Sequence, residues 1–232
     1  MTTSSNLSWQ PSLFDTEEPT FDRSFADLRR VQLDRESWID IATGWVTGSD
    51  RLFEEVLSSR DWGQRVRHMY DGKVREPRLT APWNEESGVP LEPLLLDRIR
   101  SALSDRYGVH FDSVGFNLYR DGKDSVAWHG DRIDKSIDEP IVALVSLGHP
   151  RKFLLRPKGG GASTSLMLGR GDLLVTGGKT QRTWDHSVPK VAQAGPRISL
   201  AYRHGMDPSV YRGKKTVDPE SDDVPSVPEP GP

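Results

Sequence analysis

Residues 141–157 read IVALVSLGHPRKFLLRP, two largely apolar runs with a Gly-His-Pro turn between them. Short runs of this kind, bounded by glycine and proline, are typical of β-strands. The same texture continues on both sides of this stretch, where turn residues again separate the runs. The further runs are VGFNLYR (114–120), SVAWH (125–129), TSLML (164–168), DLLVT (172–176), TWDHSV (183–188) and RISLAYR (197–203).

Eight short strands in succession predict an antiparallel sandwich or jelly roll. Nothing helical separates them, so a doubly wound α/β fold is disfavoured. Two helices are expected earlier in the chain, over Asp50–Leu57 behind a Ser49/Asp50 cap and from about Leu91 to Arg106. The buried stripe expected on the second helix consists of Leu94, Leu95, Ile99, Ala102 and Leu103. The predicted fold class is α+β, mainly β, a jelly roll with an N-terminal helical layer.

The chain has 232 residues, enough for one domain with a sizeable core. Residues 1–35 are polar and acidic and predict an extended arm. Residues 36–206 form the predicted domain. Residues 207–232 are rich in Pro, Ser, Asp and Glu and predict a disordered acidic tail.

Composition excludes several classes of protein. The chain has no cysteine, so disulfides, thiolate zinc sites and iron–sulfur clusters are excluded and any metal must use His and carboxylate ligands. No run approaches the roughly 18 apolar residues that cross a bilayer. The first residues, MTTSSNLSWQPSLFD, lack the basic region and apolar stretch of a signal peptide. We therefore expect a cytoplasmic monomer that does not associate with membranes.

The distribution of charge is more informative than the net charge of −3. The last 17 residues carry five acids and no base, and without them the net charge is +2. The segment Arg60–Arg78 holds six Lys or Arg against three acids, with Trp62, Tyr70 and Trp83 within or beside it. Bases interleaved with aromatics suit a nucleic-acid surface. The alternative is a solvated loop face whose aromatics point into the core.

A candidate metal site is formed by His129, Asp131 and His186, which follows His129 by 57 residues. On a strand, residues i and i+2 share a face, so His129 and Asp131 can reach one ion. His186 would complete the set from across the sandwich. Two imidazoles and one carboxylate form the facial triad that holds Fe(II) and leaves three positions open. The alternative is a hydrolytic zinc site with the same ligands and Asp185 as the base.

A candidate anion site lies close by in the sequence. Arg197 and Arg203 are six residues apart in one predicted strand, so they share a face with about 20 Å between their α-carbons. Long arginine side chains could converge on a dicarboxylate by charge-assisted bonds. Asn117 and Tyr119, also i and i+2, could donate hydrogen bonds to the same carboxylates. The alternative is a face of surface arginines.

From about Val66 to His204, the chain resembles the AlkB family of Fe(II)- and 2-oxoglutarate-dependent dioxygenases. The matching motifs are N-x-Y (Asn117, Tyr119), H-x-D (His129, Asp131), the SLG turn (Ser146–Gly148), G-D (Gly171, Asp172), the distal His186, R-x5-R (Arg197, Arg203) and the segment EPRLTAPW (Glu76–Trp83). The order and spacing of these motifs together are specific, whereas each one alone is not. The resemblance implies a double-stranded β-helix and an enzyme that uses Fe(II), 2-oxoglutarate and O2.

The resemblance also assigns roles by position. His129, Asp131 and His186 would bind iron, and the expected 2-oxoglutarate contacts are Asn117, Tyr119, Ser199, Arg197 and Arg203, with one arginine on each carboxylate. The sequence departs from the family at Ser199 and Ala201, where Asn and Thr are frequent. It departs again at Ile133, where some members have an acid that reads the damaged base. Asp134 is the candidate substitute for that acid.

The implied function is oxidative demethylation of N-alkylated bases in DNA, such as N1-methyladenine and N3-methylcytosine. The reaction would release formaldehyde, succinate and CO2 and would repair the base. The base must be flipped or single-stranded to reach the metal. A recognition lid is expected over about residues 60–85, with Tyr70 and Trp83 stacking on the base and Arg75 and Arg78 contacting phosphates.

Two alternatives remain open from the sequence. One is a 2-oxoglutarate oxygenase that acts on RNA, protein or a small molecule. The other is a catalytically silent module that binds nucleic acid, against which the intact triad and both arginines count.

Overall fold

The structure, a computed structural model, describes residues 7, 17–69 and 72–205. Its helices are α1 (Ser49–Ser58), α2 (Leu94–Tyr107) and the short α3 (Thr180–Thr183), with a 3-10 turn at Glu85–Ser87. Its strands are β1 (Thr20–Phe21), β2 (Arg29–Gln32), β3 (Ser37–Ala42), β4 (Val46–Thr47), β5 (Gly63–Met69), β6 (Gly72–Asn84), β7 (Ser113–Tyr119), β8 (Val126–His129), β9 (Val142–Gly148), β10 (Arg151–Pro157), β11 (Thr164–Leu168), β12 (Asp172–Gly178), β13 (Trp184–Val188) and β14 (Arg197–Arg203).

Two antiparallel sheets form the jelly roll. The major sheet has the strand order β2-β3-β12-β9-β14-β7-β6-β5, and the minor sheet has the order β11-β10-β13-β8. A separate pair joins β1 and β4. All eight strands predicted after residue 107 are present as β7 to β14. The predicted mainly β jelly roll is therefore confirmed.

The alternation of side chains along β14 divides the interior into two cores. Ile198, Leu200 and Tyr202 pack with the helices on one face of the major sheet. Ala201 packs on the opposite face, in the space between the two sheets, together with residues of β10 such as Phe153. Because period-2 alternation fixes the face of each residue, Arg197, Ser199 and Arg203 also face the space between the sheets. That space contains the candidate site.

The two longer helices cover the outer face of the major sheet. α1 begins at Ser49 with Gly48 as its N-cap, one residue earlier than the predicted Ser49/Asp50 cap. α2 begins after Pro93 and buries Leu96, Ile99 and Leu103. The predicted stripe is wrong at its start, because Leu94 is 63% exposed and Leu96 is fully buried. The spacing i, i+3, i+7 from Leu96 is the apolar face that contacts the sheet.

The strands before residue 107 are not predicted by the sequence. β2 and β3 extend one end of the major sheet, and the β5–β6 hairpin forms the other end, over the segment predicted as a lid. Part of the predicted arm, residues 17–35, contributes β1 and β2, and Phe21 belongs to the helix-side core. The remainder of that arm, apart from Leu7, and the predicted tail lie outside the described residues. Within the described ranges, no helix is long and apolar enough to cross a membrane.

Candidate metal centre and anion site

The candidate metal ligands converge at one end of the minor sheet. His129 on β8 and His186 on β13 are register partners, and their ring centroids are 4.3 Å apart. Asp131 follows β8 by two residues, and one ligand atom from each of the three side chains lies within 4.8 Å of the others. His186 therefore approaches from the neighbouring strand of the same sheet, and the expectation that it would come from across the sandwich is wrong.

The protonation of the three side chains suits metal binding. The Nδ1 of His129 donates to the carbonyl of Ala127 at 2.8 Å, which leaves Nε2 as its ligand atom. Burial lowers the pKa of His129, and burial together with repulsion from His129 lowers the pKa of His186 to about 3. Burial opposes ionisation of Asp131, but attraction by Arg203 and both histidines holds its pKa below the usual range. Near pH 7 the site offers two neutral imidazoles and a carboxylate.

This donor set fits the facial triad that binds Fe(II). Zn(II) accepts the same donor types, so the triad alone does not separate the two metals. The base proposed for the zinc alternative is Asp185, which is adjacent to His186 in β13. Neighbouring residues of a strand point to opposite faces, so Asp185 lies on the face away from the triad. The hydrolytic alternative therefore loses its candidate base.

Arg203 contacts the metal site and belongs to its electrostatics. Its Nε donates to Oδ1 of Asp131 at 2.9 Å, and its Nη2 forms an ion pair with the same oxygen at 2.7 Å. Gly115, on β7, leaves room for this guanidinium, because a Cβ at that position would lie 2.5 Å from Nη1 of Arg203. The structure thus engages Arg203 with the metal-binding carboxylate, whereas the sequence assigned it directly to a co-substrate carboxylate.

Arg197 lies at the other end of β14 and is only 1% exposed. Its Nη2 donates to Oγ of Ser146 at 2.7 Å. Its Nε and Nη1 are buried and have no hydrogen-bond partner among the residues that the structure describes. Burial lowers the pKa of Arg197 to about 10. A buried guanidinium with unpaired donors is unfavourable unless an anion accepts from them, so this position fits a carboxylate ligand.

The other predicted co-substrate residues lie beside Arg197 in two rows across the sheet. Tyr119 is the register partner of Arg197, and its ring centroid is 5.4 Å from the centre of that guanidinium. Asn117 lies two residues before Tyr119 on β7 and is the register partner of Ser199 on β14. Ser199 also pairs, on its other side, with Ser146 on β9. Asn117 Nδ2 donates to the carbonyls of Gly115 and Ser199 at 3.2 and 3.4 Å. The sheet therefore brings all of these polar side chains to one inner face.

Two predicted substrate contacts are wrong because their side chains are buried. Trp83 is 7% exposed, packs in the helix-side core and donates its Nε1–H to the carbonyl of Val89, so it cannot stack on a base. Arg78 is 8% exposed and donates from Nη1 to Oη of Tyr119 at 3.0 Å, so it faces the anion site and not a phosphate backbone. Trp62 packs against the same core. For Trp62 as for Trp83, the structure therefore agrees with the alternative interpretation, in which the aromatics of this segment point into the core.

The remaining predicted substrate residues have different outcomes. Arg75 is exposed on β6, as a phosphate contact requires. Tyr70 lies outside the described residues. Asp134 is exposed, and its carboxylate accepts the backbone N–H of Ser136 at 2.8 Å. The Asp134 carboxylate also interacts with the side chains of Ser136 and Arg182. No contact between it and the triad is seen within the described ranges.

Two residues of the inner face received no role in the site predicted from the sequence. Ser146 is the polar residue in the apolar run IVALVSLG, and that exception is a usable signal. Arg151 is 2% exposed and donates to the carbonyls of Asp121, Asp124 and Pro189 at 2.8–2.9 Å. It alternates with inward-facing Phe153, so strand periodicity could have placed it inside.

Three features together define a class of protein. They are the jelly roll, the His-Asp-His cluster, and a buried arginine that fits an anionic ligand. It is the class of mononuclear non-haem Fe(II) oxygenases that use a carboxylate co-substrate. Comparisons with known proteins agree with this assignment. A family model of the 2OG-Fe(II) oxygenase superfamily matches residues 47–203, and the chain belongs to this superfamily as an AlkB-like member. The family requires Fe(II), 2-oxoglutarate and O2.

Two relatives illustrate the similarity. The alpha-ketoglutarate-dependent dioxygenase alkB homolog 3 of Bos taurus is 34% identical over 174 residues, which are 67% of this chain and 61% of that protein. The DNA oxidative demethylase ALKBH2 of Homo sapiens is 30% identical over 177 residues, which are 67% of this chain and 68% of that protein. The chain therefore spans about three-fifths of the length of the alkB homolog 3 proteins it matches.

Solved structures show the same fold. The structure of OsALKBH1 superposes with a TM-score of 0.54 at 17% identity, over 74% of this chain and 98% of that one. A prolyl hydroxylase from Trichoplax adhaerens superposes with a TM-score of 0.50 at 16% identity, over 71% of this chain and 83% of that one. At these identities the likeness concerns the fold alone.

Proposed function

We propose that this chain is an Fe(II)- and 2-oxoglutarate-dependent oxidative demethylase that repairs N-alkylated bases in DNA. The observation that carries the proposal is the shared inner space, into which the His129–Asp131–His186 cluster and the unpaired donors of Arg197 both face. The first fits a metal and the second fits the carboxylate of a co-substrate. The names of the relatives, among them DNA oxidative demethylase ALKBH2, support DNA as the substrate.

The residues of the chain divide the work of positioning. When bound, Fe(II) supplies activation of O2 and oxidation of a substrate C–H bond, with 2-oxoglutarate as the reducing co-substrate. Arg197 and Ser146 would hold the carboxylate of the co-substrate that is remote from the metal, because Nε and Nη1 of Arg197 lack partners among the described residues. Arg203 holds Asp131 in its ligating orientation, because its donors are already used there. Neutral His129 and His186 complete the ligand set.

Overall atom balance defines what must be measured. The carboxyl group next to the keto group of 2-oxoglutarate is released as CO2. One oxygen atom of O2 is incorporated into succinate, and the other is added to the N-methyl carbon. The hydroxylated methyl group then leaves as formaldehyde and restores the base N–H or lone pair. Succinate and formaldehyde are therefore expected in equal amounts from a methylated strand.

The site lies between two sheets, so a base must leave its stack to reach it. We infer that the substrate is single-stranded DNA or a flipped base in a duplex. The β5–β6 hairpin stands at one end of the major sheet and presents exposed Arg75. A cation at this place suits a phosphate of the strand that carries the flipped base. Tyr70 remains a candidate for stacking on the base.

The decisive experiment measures succinate and formaldehyde with Fe(II), 2-oxoglutarate and ascorbate. It uses oligonucleotides with and without N1-methyladenine or N3-methylcytosine. We expect both products only with the methylated strand, with none from His129→Ala. Asp185→Asn is the matched control, because it changes an acid beside a triad residue on the opposite face of β13.

The other outcomes distinguish the alternatives. Equal succinate with and without a methylated strand would retain the oxygenase and direct the search to RNA, protein or small-molecule substrates. Strand binding without any succinate, under conditions where the metal is bound, would overturn the proposal in favour of a silent binding module.

A further inference from the structure

Arg78 lies inside the protein, within the segment predicted as a lid and beside the anion site. It belongs to β6, the strand that joins the β5–β6 hairpin to β7. Its Nη1 donates to Oη of Tyr119 at 3.0 Å, and its Nε lies 3.6 Å from a carboxylate oxygen of Glu76. The buried position of this arginine has no role in the functions described above.

The bond from Arg78 fixes the orientation of the Tyr119 hydroxyl group. A guanidinium donates and never accepts, so the hydroxyl oxygen must be the acceptor of this bond. The O–H proton must then point away from Arg78. Tyr119 is therefore prepared to donate to another group, provided that an acceptor is present.

The surroundings of Tyr119 indicate what that acceptor is. The guanidinium centres of Arg78, Arg151 and Arg197 lie 5.9, 5.7 and 5.4 Å from the centroid of its ring. All three are donors only. Two nitrogens of Arg197, Nε and Nη1, also lack a hydrogen-bond partner among the described residues. An anion with two oxygens is the kind of ligand that could accept from both Tyr119 and Arg197.

We propose that Arg78 is a positioning residue of the co-substrate site, which directs the Tyr119 hydroxyl proton toward the carboxylate that Arg197 holds. This inference rests on the proposed 2-oxoglutarate site. It assigns Arg78 to the carboxylate remote from the metal, and not to the nucleic acid. Its loss should weaken binding of that carboxylate and leave the metal-proximal end of the co-substrate unaffected.

Binding, measured without turnover, provides the test. The full chain is loaded with Mn(II) and titrated by calorimetry with 2-oxoglutarate and with 2-oxopentanoate, in which a methyl group replaces the remote carboxylate. We expect Arg78→Met to weaken 2-oxoglutarate binding about 10-fold, the range for a hydrogen bond to a charged group. Binding of 2-oxopentanoate should change less than about 2-fold, because it lacks the acceptor.

A double-mutant cycle separates action through Tyr119 from direct contact. If Arg78 acts through the hydroxyl, Arg78→Met adds no further loss in a Tyr119→Phe background. Arg78→Lys, which keeps a donor, should recover part of the affinity. Arg98→Met is the control for loss of a positive charge, because Arg98 is exposed on α2. Thermal unfolding of each variant identifies any loss of fold.

Three results would overturn the inference. They are equal 2-oxoglutarate affinity in Arg78→Met and wild type, equal weakening of both oxo acids, and losses that multiply in the double variant. A wild-type protein that fails to bind 2-oxoglutarate would instead overturn the proposed function. The two failures are therefore distinguishable in one set of titrations.

Discussion

The two ends of β14 carry the same side chain in opposite electrostatic situations. At one end, the guanidinium of Arg203 is balanced by the carboxylate of Asp131, at 2.7 Å. At the other end, Arg197 is as deeply buried as an apolar core residue, yet its hydrogen bond is to the neutral hydroxyl of Ser146. Five residues of one strand separate a paired cation from a cation whose remaining donors lack partners in the described part of the chain.

This difference shows which parts of the inner face serve the protein and which serve a ligand. A buried charge is stable when a protein group pairs with it, and it is a source of ligand affinity when none does. Arg203 therefore belongs to the metal site, and Arg197 belongs to the co-substrate. Variants of the two arginines should differ in the sign of their effects as well as in size.

The largest effect is expected from Arg197→Met on co-substrate binding. The variant loses the unpaired donors that a carboxylate would use, and removal of one partner from a buried charge pair weakens binding by about 1000-fold. Calorimetric titration of the Mn(II)-loaded protein with 2-oxoglutarate measures it. Arg197→Lys, which keeps the charge and loses the planar fork, should fall between the variant and wild type. Unchanged affinity in Arg197→Met would remove the anion site from this end of β14.

Strand periodicity explains why so much of this comparison could be predicted. In RISLAYR, alternate residues must face opposite sides of the sheet, so Arg197 and Arg203 were expected on one face. H-x-D at a strand end likewise placed His129 and Asp131 together. In each case the spacing within one regular strand determines the geometry. No knowledge of the neighbouring strands is needed.

Features that depend on the packing of neighbouring strands could not be predicted in this way. The two prolines of β6, Pro77 and Pro82, argue against a strand, and its charges suggest a surface. β6 nevertheless pairs with β7. This pairing buries Trp83 in the helix-side core and Arg78 on the opposite face, against Tyr119. The pairing of Arg203 with Asp131 was also missed, because it needs the space that Gly115 leaves on the adjacent strand.

The second effect concerns stability without ligands. Arg203→Met leaves the carboxylate of Asp131 buried without its cation, which should destabilise the metal-free protein by about 3 kcal/mol. Arg197→Met removes an unbalanced charge and should leave the stability equal or higher. Mn(II) should stabilise Arg203→Met more than wild type, because the metal replaces the lost positive charge. Urea unfolding with and without Mn(II) measures these changes. Equal destabilisation by the two variants would contradict the proposed difference between the ends of β14.

A smaller effect of the same sign is expected from Gly115→Ala. The added methyl group would displace Nη1 of Arg203, the mobile end of a long side chain, so the fold should adapt. We expect a loss of about 1 kcal/mol, the size of one weakened hydrogen bond. Gly63→Ala is the matched control, because a Cβ there meets its nearest neighbour at an ordinary 3.8 Å. The same urea curves report both, and a loss above that of Arg203→Met would show that Gly115 has another role.

The smallest effect extends the comparison to His204, which follows Arg203. Its Nε2 accepts the backbone N–H of Ile141 at 3.0 Å. Burial lowers the pKa of His204, and attraction by Asp112, which acts to raise it, is the weaker effect. In the unfolded chain a histidine has a pKa of about 6.5, so acidification below that value protonates the unfolded state first. The wild type should therefore lose stability as the pH falls from 7 to 5.

His204→Gln isolates this contribution, because glutamine also offers an acceptor and does not titrate. We compare the slopes of unfolding free energy against pH for wild type and His204→Gln. These slopes should differ by well below about 1.4 kcal/mol per pH unit, since the imidazole is partly exposed and solvent screens it. Urea unfolding of both proteins at several pH values gives the two slopes. Parallel curves would mean that His204 binds protons equally in both states. The electrostatic balance at this end of β14 would then depend on Arg203 and Asp131, with no contribution from the residue beyond them.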